Sequence, residues 1–123
     1  MSFEFRHAVE KDWNHVRCYH LDLKVGDLEW AWRPGGTVEM HLDVDPAYYR
    51  QGVGRAMLRE LLASAPKDAW GRTPITVFSF SAGDNDKAYG YFTGCGFAAV
   101  RLADFYGRGR DAWFYWLVTG EPK

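Results

Sequence analysis

The sequence has no long apolar run, only two cysteines and almost no net charge, and each shortage excludes a class of protein. No stretch of about twenty apolar residues is present, so no membrane-spanning helix is expected. A net charge of −1 over 123 residues argues against a general nucleic-acid binder. Cys18 and Cys95 are too few for a disulfide scaffold, and neither has metal-ligand spacing with the four histidines. We therefore expect no membrane, nucleic-acid or metal partner.

Chain length and aromatic content set the size of the fold. With 123 residues we expect a single domain, residues 1–123, that is large enough for a core. Aromatic residues make up 17% of the chain and can build that core from few positions, because each ring buries a large area. Free thiols and the absence of a signal-peptide pattern after Met1 predict a cytoplasmic protein.

A strand, a glycine turn and a helix follow one another in residues 38–63. Apolar residues alternate with polar ones up to Val44, Pro46 ends the alternation, and the apolar spacing from Met57 onward indicates a helix. Between them lies the loop Arg50-Gln51-Gly52-Val53-Gly54. The first-turn N–H groups of a helix have no intrahelical partner, and glycine lets a ligand approach the backbone closely. The pattern predicts a pyrophosphate cradle. Three arginines add positive charge to it: Arg50, Arg55 and Arg59.

Other interpretations of this segment either stay open or fit badly. A tight turn without a ligand would show the same glycine pattern. The dinucleotide-binding fingerprint needs a third glycine where Met57 stands. The P-loop needs Gly-Lys-Ser or Gly-Lys-Thr after four spacer residues, and this segment has neither.

A second motif lies about thirty residues further along the chain, after a candidate strand, Ile75 to Phe80. It reads Asn85-Asp86-Lys87-Ala88-Tyr89-Gly90-Tyr91-Phe92-Thr93-Gly94-Cys95-Gly96-Phe97. With the preceding Val44-Asp45-Pro46 and glycine turn, this order and spacing resemble the GCN5-related N-acetyltransferase (GNAT) superfamily. The resemblance is firm from about Glu39 to Phe97, weaker from there to Val118, and poor before Val38.

The resemblance and the residue patterns together predict a GNAT-like α/β (α+β) fold. We expect a mixed, mostly antiparallel sheet of six to seven strands with two main helices. The strands are predicted at residues 3–8, 16–25, 28–32, 37–44, 73–81, 97–103 and 112–118. The first helix is predicted at residues 52–64, and the second follows an N-cap at Asp84. We also expect a turn of helix at residues 10–14 and a turn at Gly26-Asp27.

Two features of the sheet follow from the family likeness. The family places two helices between its first and second strands, but only about seven residues are available here. We therefore expect that helical pair to be absent or reduced to a turn, which would leave the acceptor site open or completed by a second subunit or the substrate. A V-shaped opening is expected between the strand that ends at Val44 and the strand at residues 73–81.

The resemblance also implies acetyl-CoA as cosubstrate and assigns residues to it. In the family, the strand before the glycine turn separates from its neighbour at a bulge, and the backbone N–H groups that this frees bind the thioester carbonyl. The glycine turn and helix start take the pyrophosphate, and Asn85 matches the family's cofactor-contacting asparagine. The implied cofactor residues are Leu42, Asp43, Val44, Arg50, Gln51, Gly52, Val53, Gly54, Arg55, Ala56, Asn85 and Phe92.

The general base has more than one candidate. Many relatives carry a glutamate where this chain has Val38, and the carboxylate here is one residue later, at Glu39. Glu39, His41 and Asp43 share one strand face, and two acids beside His41 could tune it near neutrality. The alternative is that this face is simply solvated or binds a cation.

The general acid departs from the family pattern, because Phe92 stands where the family has tyrosine and a phenyl ring cannot donate a proton. Tyr89 lies one helical turn back, near the same face, and is our candidate acid. Tyr91 or water could also supply the proton. In the glycine turn, Tyr49 replaces the family's first Arg or Gln.

The implied activity is transfer of an acetyl group from acetyl-CoA to a primary amine, either on a small molecule or on a protein lysine or N-terminus. Residues 1–48 hold nine acidic residues against five Lys or Arg, whereas residues 49–123 hold seven against ten. Trp30, Trp32 and Glu29 fall near the expected acceptor cleft and would suit a cationic amine, although the tryptophans could simply pack the core. The alternatives are a catalytically weak CoA-binding module or a domain without cofactor. A homodimer is possible.

Overall fold

The computed structural model describes residues 2–64 and 76–118, which form seven strands and two α-helices. In chain order the elements are β1 (Glu4–Glu10), β2 (Trp13–His20), β3 (Leu23–Arg33), β4 (Thr37–Val44), α1 (Val53–Ser64), β5 (Thr76–Ala82), α2 (Asp86–Gly94), β6 (Ala98–Leu102) and β7 (Ala112–Val118). A short 3₁₀ turn, Pro46–Tyr48, joins β4 to the glycine turn. Residues 73–75 of the predicted fifth strand lie outside the described residues.

The seven strands form one sheet in the order β1-β2-β3-β4-β5-β7-β6, and only the β4–β5 pair is parallel. The predicted mixed, mostly antiparallel sheet with two helices is confirmed. β1 and β2 are joined directly through Lys11 and Asp12, so the helical pair is absent between them, as expected. The predicted helical turn at residues 10–14 is wrong, because Glu10 pairs with Trp13 across the hairpin.

The turn predicted at Gly26-Asp27 is also wrong. The chain turns earlier, at Leu21 and Asp22, both with positive φ, and β3 then runs unbroken through Gly26. A bulge in the β2–β3 register shifts the pairing at this point. A Cβ on Gly26 would lie 2.6 Å from Met57 Cε, so glycine is needed here for close packing of α1 on the sheet.

The core lies on one face of the sheet, and both described helices cover that face. Val16, Leu28 and Met40 from the strands are buried with Met57 and Leu61 of α1. Because each buried aliphatic side chain contributes roughly 1.5–3 kcal/mol, this contact holds α1 on β2–β4. Trp30 is buried in the same core cluster, and Trp32 packs partly buried against it, which supports the interpretation that these tryptophans pack the core.

β4 and β5 separate part-way along their length. Their pairing runs from Thr37↔Thr76 to Glu39↔Phe78 and then ends, although β4 continues to Val44 and β5 to Ala82. The predicted V-shaped opening is therefore confirmed. It forms without a bulge in β4, whose register with β3 is continuous, so the bulge expected from the family likeness is not found there.

Candidate functional site

The glycine turn leaves a row of backbone donors free. Among the described residues, no protein acceptor is found for the N–H groups of residues 50–55, and helical bonding starts with Ala56 N–H, which donates to Gly52 O at 3.0 Å. Gly52 has a φ of 79° with open space where a Cβ would lie, and Arg50 has a φ of 63°. Consecutive free N–H groups at a helix start fit an anion such as a pyrophosphate. The predicted donor Ala56 is engaged by its own helix.

Side chains around this turn mostly hold the protein together. Gln51 Nε2 donates to Ala47 O at 3.2 Å, and Arg55 Nη2 donates to Gly94 O at 2.8 Å. Lys87 Nζ lies 4.6 Å from the centre of the Tyr49 ring, which places a cation beside the turn. Lys87 is not among the residues predicted from the sequence, since nothing in the spacing of two distant residues indicates a cation–π contact.

Asn85 is the N-cap of α2, and Asp84, the predicted cap, is not. Asn85 Oδ1 accepts a hydrogen bond from Ala88 N–H at 3.0 Å, whereas Asp84 precedes the cap by one residue. The capping bond uses only the oxygen of the Asn85 amide. Its contact with a cofactor therefore stays a prediction that rests on the amide nitrogen.

The N–H groups of the three residues predicted to bind the thioester carbonyl do not all face the opening. Asp45 N–H donates to Val25 O on β3 at 2.9 Å. Since N–H groups alternate between the two edges of a strand, Asp43 N–H also faces β3. The N–H groups of Leu42 and Val44 face the opening. Only these two of the three can therefore donate to a group bound in the gap.

The predicted bases form a connected cluster on the face of the sheet opposite the helices. Glu39 Oε2 accepts from His41 Nε2 at 2.6 Å, and Glu39 Oε1 accepts from Arg33 Nε at 2.8 Å. The Trp13 ring contacts both His41, at 5.6 Å between centroids, and the Arg33 guanidinium, at 5.1 Å. Burial alone would raise the pKa of Glu39, but the hydrogen bonds from Arg33 and His41 outweigh it and hold that pKa below its ordinary value.

A groove of about 600 Å³ runs beside the opening. It is lined by Lys24, Val25, Gly26, Asp27, Glu29, His41, Leu42, Asp43, Val44, Asp45 and Pro46. Four of these residues are acidic and one is a lysine, so the groove suits a cation. His41 lines it and Glu39 does not. The imidazole is therefore the group that faces the groove, with the carboxylate behind it.

The aromatic residues of α2 have three different surroundings. Phe92 is 4% exposed and stacks on Tyr115 with 4.4 Å between ring centroids. The Tyr91 hydroxyl donates to Gly54 O at 2.9 Å. Tyr89 is 39% exposed, with its ring against Trp113, and stays a candidate acid.

One hydroxyl pair near Phe92 was not predicted. Ser81 Oγ and Tyr115 Oη are 2.6 Å apart, with either one able to donate. Ser81 lies on β5 beyond the point where its pairing with β4 ends. The pairing of β5 with β7 brings these two hydroxyls together, and no spacing within the sequence could have indicated it.

Comparison with known proteins identifies the family. The model of the acetyltransferase (GNAT) family matches residues 9–97. The chain belongs to this family. It is 37% identical over 93 residues to the N-alpha-acetyltransferase RimI of Mycobacterium tuberculosis, a match that covers 73% of this chain and 54% of RimI. The chain thus spans about half the length of that curated relative.

Solved structures of other proteins share the GNAT fold. The ribosomal-protein-S18-alanine N-acetyltransferase of Escherichia coli has a TM-score of 0.72 at 19% identity, over 94% of this chain and 74% of that one. The Salmonella typhimurium protein yncA, solved with its cofactor acetyl-CoA, has a TM-score of 0.71 at 21% identity, over 90% of this chain and 67% of that one. At such identities the likeness shows the GNAT fold.

Two features are absent from the part of the chain that the structure describes. Within residues 2–64 and 76–118, no helix is both long and apolar enough to cross a membrane. In the same part of the chain, no three His, Cys, Asp or Glu side chains are grouped as metal ligands.

Proposed function

We propose that this GNAT protein transfers the acetyl group of acetyl-CoA to the N-terminal amine of a polypeptide. The observation that carries the proposal is the row of backbone N–H groups of residues 50–55, for which the described residues offer no acceptor, at the end of a strand that has separated from its neighbour. The proposal is also supported by the 37% identity to an N-alpha-acetyltransferase.

The described residues fit acetyl-CoA, which supplies the acetyl group as an activated thioester. The N–H groups of residues 50–55 would hold the pyrophosphate, with Arg50 and Lys87 as nearby cations. The N–H groups of Leu42 and Val44 would hold the thioester carbonyl oxygen and stabilise the negative charge that develops on it. Removing one such donor typically costs about 10²–10³ in rate.

His41 is the proposed general base, and Glu39 orients it. In the tautomer with a proton on Nε2, His41 donates to Glu39 and keeps Nδ1 free to accept a proton from the amine. Glu39 is a weaker candidate for the base itself, because Arg33 and His41 already bind both of its oxygens. Its low pKa also makes it a weak proton acceptor.

The surroundings of the groove favour an N-terminal amine as acceptor. Glu29 and Asp43 on its wall would attract an ammonium group, whereas Asp27 is already paired with His15, Arg17 and Lys24. An α-amine has a pKa of about 7.7–8.0 and lysine about 10.4, so an imidazole can deprotonate the α-amine far more readily. Across the gap, Phe80 stacks on the half-exposed ring of Phe105 and offers an apolar surface to the side chain of the first residue.

A catalytically weak CoA-binding module is the second candidate, and one observation favours it. Phe92 occupies the family's acid position and is buried against Tyr115, so no phenol donates from that site. Acetyl transfer then needs a proton from elsewhere. Tyr89 is the proposed donor, and the Ser81–Tyr115 hydroxyl pair is a second source.

Thiol release from acetyl-CoA, measured across a panel of amines, tests both candidates. The panel pairs one peptide that has a free N-terminus with the same peptide blocked at the N-terminus and carrying a lysine, and adds spermidine and an aminoglycoside. We expect thiol release and a mass increase of one acetyl group only on the free N-terminus. CoA binding without transfer to any amine would support the weak module, and transfer to the blocked lysine peptide would refute N-terminal selectivity.

A further inference from the structure

Helix α2 holds the first turn of α1 at two points. The Tyr91 hydroxyl donates to Gly54 O at 2.9 Å, and the Arg55 guanidinium donates to Gly94 O at 2.8 Å. We call these four residues, Tyr91, Gly54, Arg55 and Gly94, the helix clasp. One bond of the clasp runs from α2 to α1 and the other from α1 to α2, so the two helices are tied in both directions next to the free N–H groups.

Gly54 is a glycine because of this clasp. A Cβ on Gly54 would lie 2.6 Å from Tyr91 Cε1 and 3.2 Å from Leu42 Cδ2. The tyrosine ring therefore contacts the helix backbone where any side chain would collide. Position 52 differs, because a Cβ built there would have no atom within 4 Å. Glycine is favoured at that position by its φ of 79°. The two glycines of the motif thus have different structural roles: Gly54 allows close packing, and Gly52 allows a positive φ.

The Tyr91 bond acts on a donor of the cradle through the peptide plane. Gly54 C=O and Arg55 N–H belong to one planar peptide unit, so fixing the direction of the carbonyl also fixes the direction of the N–H. Arg55 N–H is one of the donors that have no acceptor within residues 2–64 and 76–118. A hydroxyl that holds Gly54 O therefore aims Arg55 N–H at whatever anion the turn binds.

We propose that Tyr91 is a positioning residue for the cofactor pyrophosphate, acting through the Gly54–Arg55 peptide. The proposal rests on the proposed function, because the anion it positions is the pyrophosphate of acetyl-CoA. Tyr91 has no role as the general acid in this account, since its hydroxyl is engaged with Gly54 O. Burial raises the pKa of Tyr91 far above its ordinary value, which keeps the phenol protonated and able to donate.

The test compares Tyr91→Phe with a matched variant in the same helix. Thr93→Val also removes a side-chain hydroxyl that donates to a backbone carbonyl, at 2.7 Å, but its acceptor is Tyr89 O within α2. Binding of CoA and of pantetheine, which lacks the pyrophosphate, is measured by calorimetry. Since one hydrogen bond contributes about 0.5–1.5 kcal/mol, we expect Tyr91→Phe to weaken CoA binding by roughly 2- to 13-fold. Pantetheine binding should not change, and Thr93→Val should change neither.

Unchanged CoA affinity in folded Tyr91→Phe would overturn the positioning role and leave the proposed function intact. Equal losses for CoA and pantetheine would also overturn it, because the effect would then be general. Failure of the parent protein to bind CoA would refute the proposed function itself. If Tyr91→Phe does not fold, the parent protein still tests the role: its Arg55 amide resonance should shift on titration with CoA and not with pantetheine, and an Arg55 amide that CoA leaves unshifted would overturn the proposal.

Discussion

The two sides of the opening, which we call its banks, present different chemical groups: backbone N–H groups on one and side chains on the other. The cofactor bank, residues 50–55, offers backbone N–H groups whose directions are set by positive φ angles and by the helix clasp. The acceptor bank offers the side chains of Glu39 and His41, connected to Arg33 and Trp13. A substitution on the cofactor bank should therefore act through geometry and binding, whereas one on the acceptor bank should change the chemistry directly.

The largest effect is expected on the acceptor bank, from His41→Gln. General-base catalysis typically contributes about 10²–10⁴ in rate, so kcat should fall by about that factor. CoA affinity should stay within about twofold of the parent value, because the N–H groups of residues 50–55 are untouched. Steady-state kinetics and calorimetry measure the two quantities. The control is His7→Gln. The His7 Nε2 and Glu60 Oε1 atoms are 2.9 Å apart, and His7 is not among the residues that line the groove.

A fall in CoA affinity for His41→Gln would show that the two banks are not independent. A kcat close to the parent value would remove His41 as the base and would return that role to Glu39 or to water.

Gly54→Ala tests the cofactor bank and should be the largest stability effect. A Cβ at 2.6 Å from Tyr91 overpacks a tight contact, which typically costs about 1–3 kcal/mol. A valine at this position would collide still more, so Gly54→Val should destabilise the fold as well as weaken CoA binding. In a double-mutant cycle with Tyr91→Ala, the double variant should lose less free energy of unfolding than the two single variants lose together. Full additivity would mean that contact with the Tyr91 ring is not the reason why position 54 requires glycine.

Glu39→Gln should show the pH dependence of the acceptor bank. The native pKa of Glu39 is depressed, so its contribution is present above the ordinary value of 4.5 and is lost as the pH falls through the native value. Near neutral pH the variant should lose about 1–2 kcal/mol of unfolding free energy, since charged hydrogen bonds to Arg33 and His41 are weakened. Denaturant unfolding of both proteins should show this difference closing below pH 4.5. A difference that stays constant into acid would contradict the assignment.

The smallest effect, from Arg50→Gly, should separate stability from binding. A non-glycine residue at a φ of 63° carries roughly 1 kcal/mol of strain, so glycine should leave stability unchanged or raise it by about 0.5–1 kcal/mol. The same change removes a cation beside the turn and should weaken CoA binding a few-fold, most clearly at low salt. Thermal unfolding and calorimetry at two salt concentrations check both directions. Loss of stability without loss of affinity would contradict a binding role for Arg50.

The two banks also differ in how far the sequence predicted them. The cofactor bank is read from consecutive residues, so the strand ending at Val44, the turn and the start of α1 were all predicted to within a residue. The acceptor bank was predicted only in part. The period of a strand put Glu39 and His41 on one face, but the Arg33 partner depends on the β3–β4 register, which no local pattern gives.

Glycines were the other point at which sequence patterns were insufficient. A glycine next to an aspartate usually marks a turn, so the sequence predicts one at Gly26-Asp27, yet Gly26 lies inside β3 and packs against Met57. For Gly54 the sequence predicts a cofactor contact, and the structure adds a separate reason for glycine, because the missing side chain makes room for Tyr91. In both positions the reason is a neighbour distant in sequence, so only the packed structure identifies it.

In the proposed complex, CoA lies along the opened edge of β4 with its pyrophosphate on the turn at residues 50–55. Titration of ¹⁵N-labelled protein with CoA, followed by amide chemical shifts, tests it most directly. We expect the largest shifts at the amides of residues 50–55 and at Leu42 and Val44, with little change at Asp43, whose N–H faces β3. Saturable shifts confined to other residues, or no shifts at millimolar CoA, would contradict it.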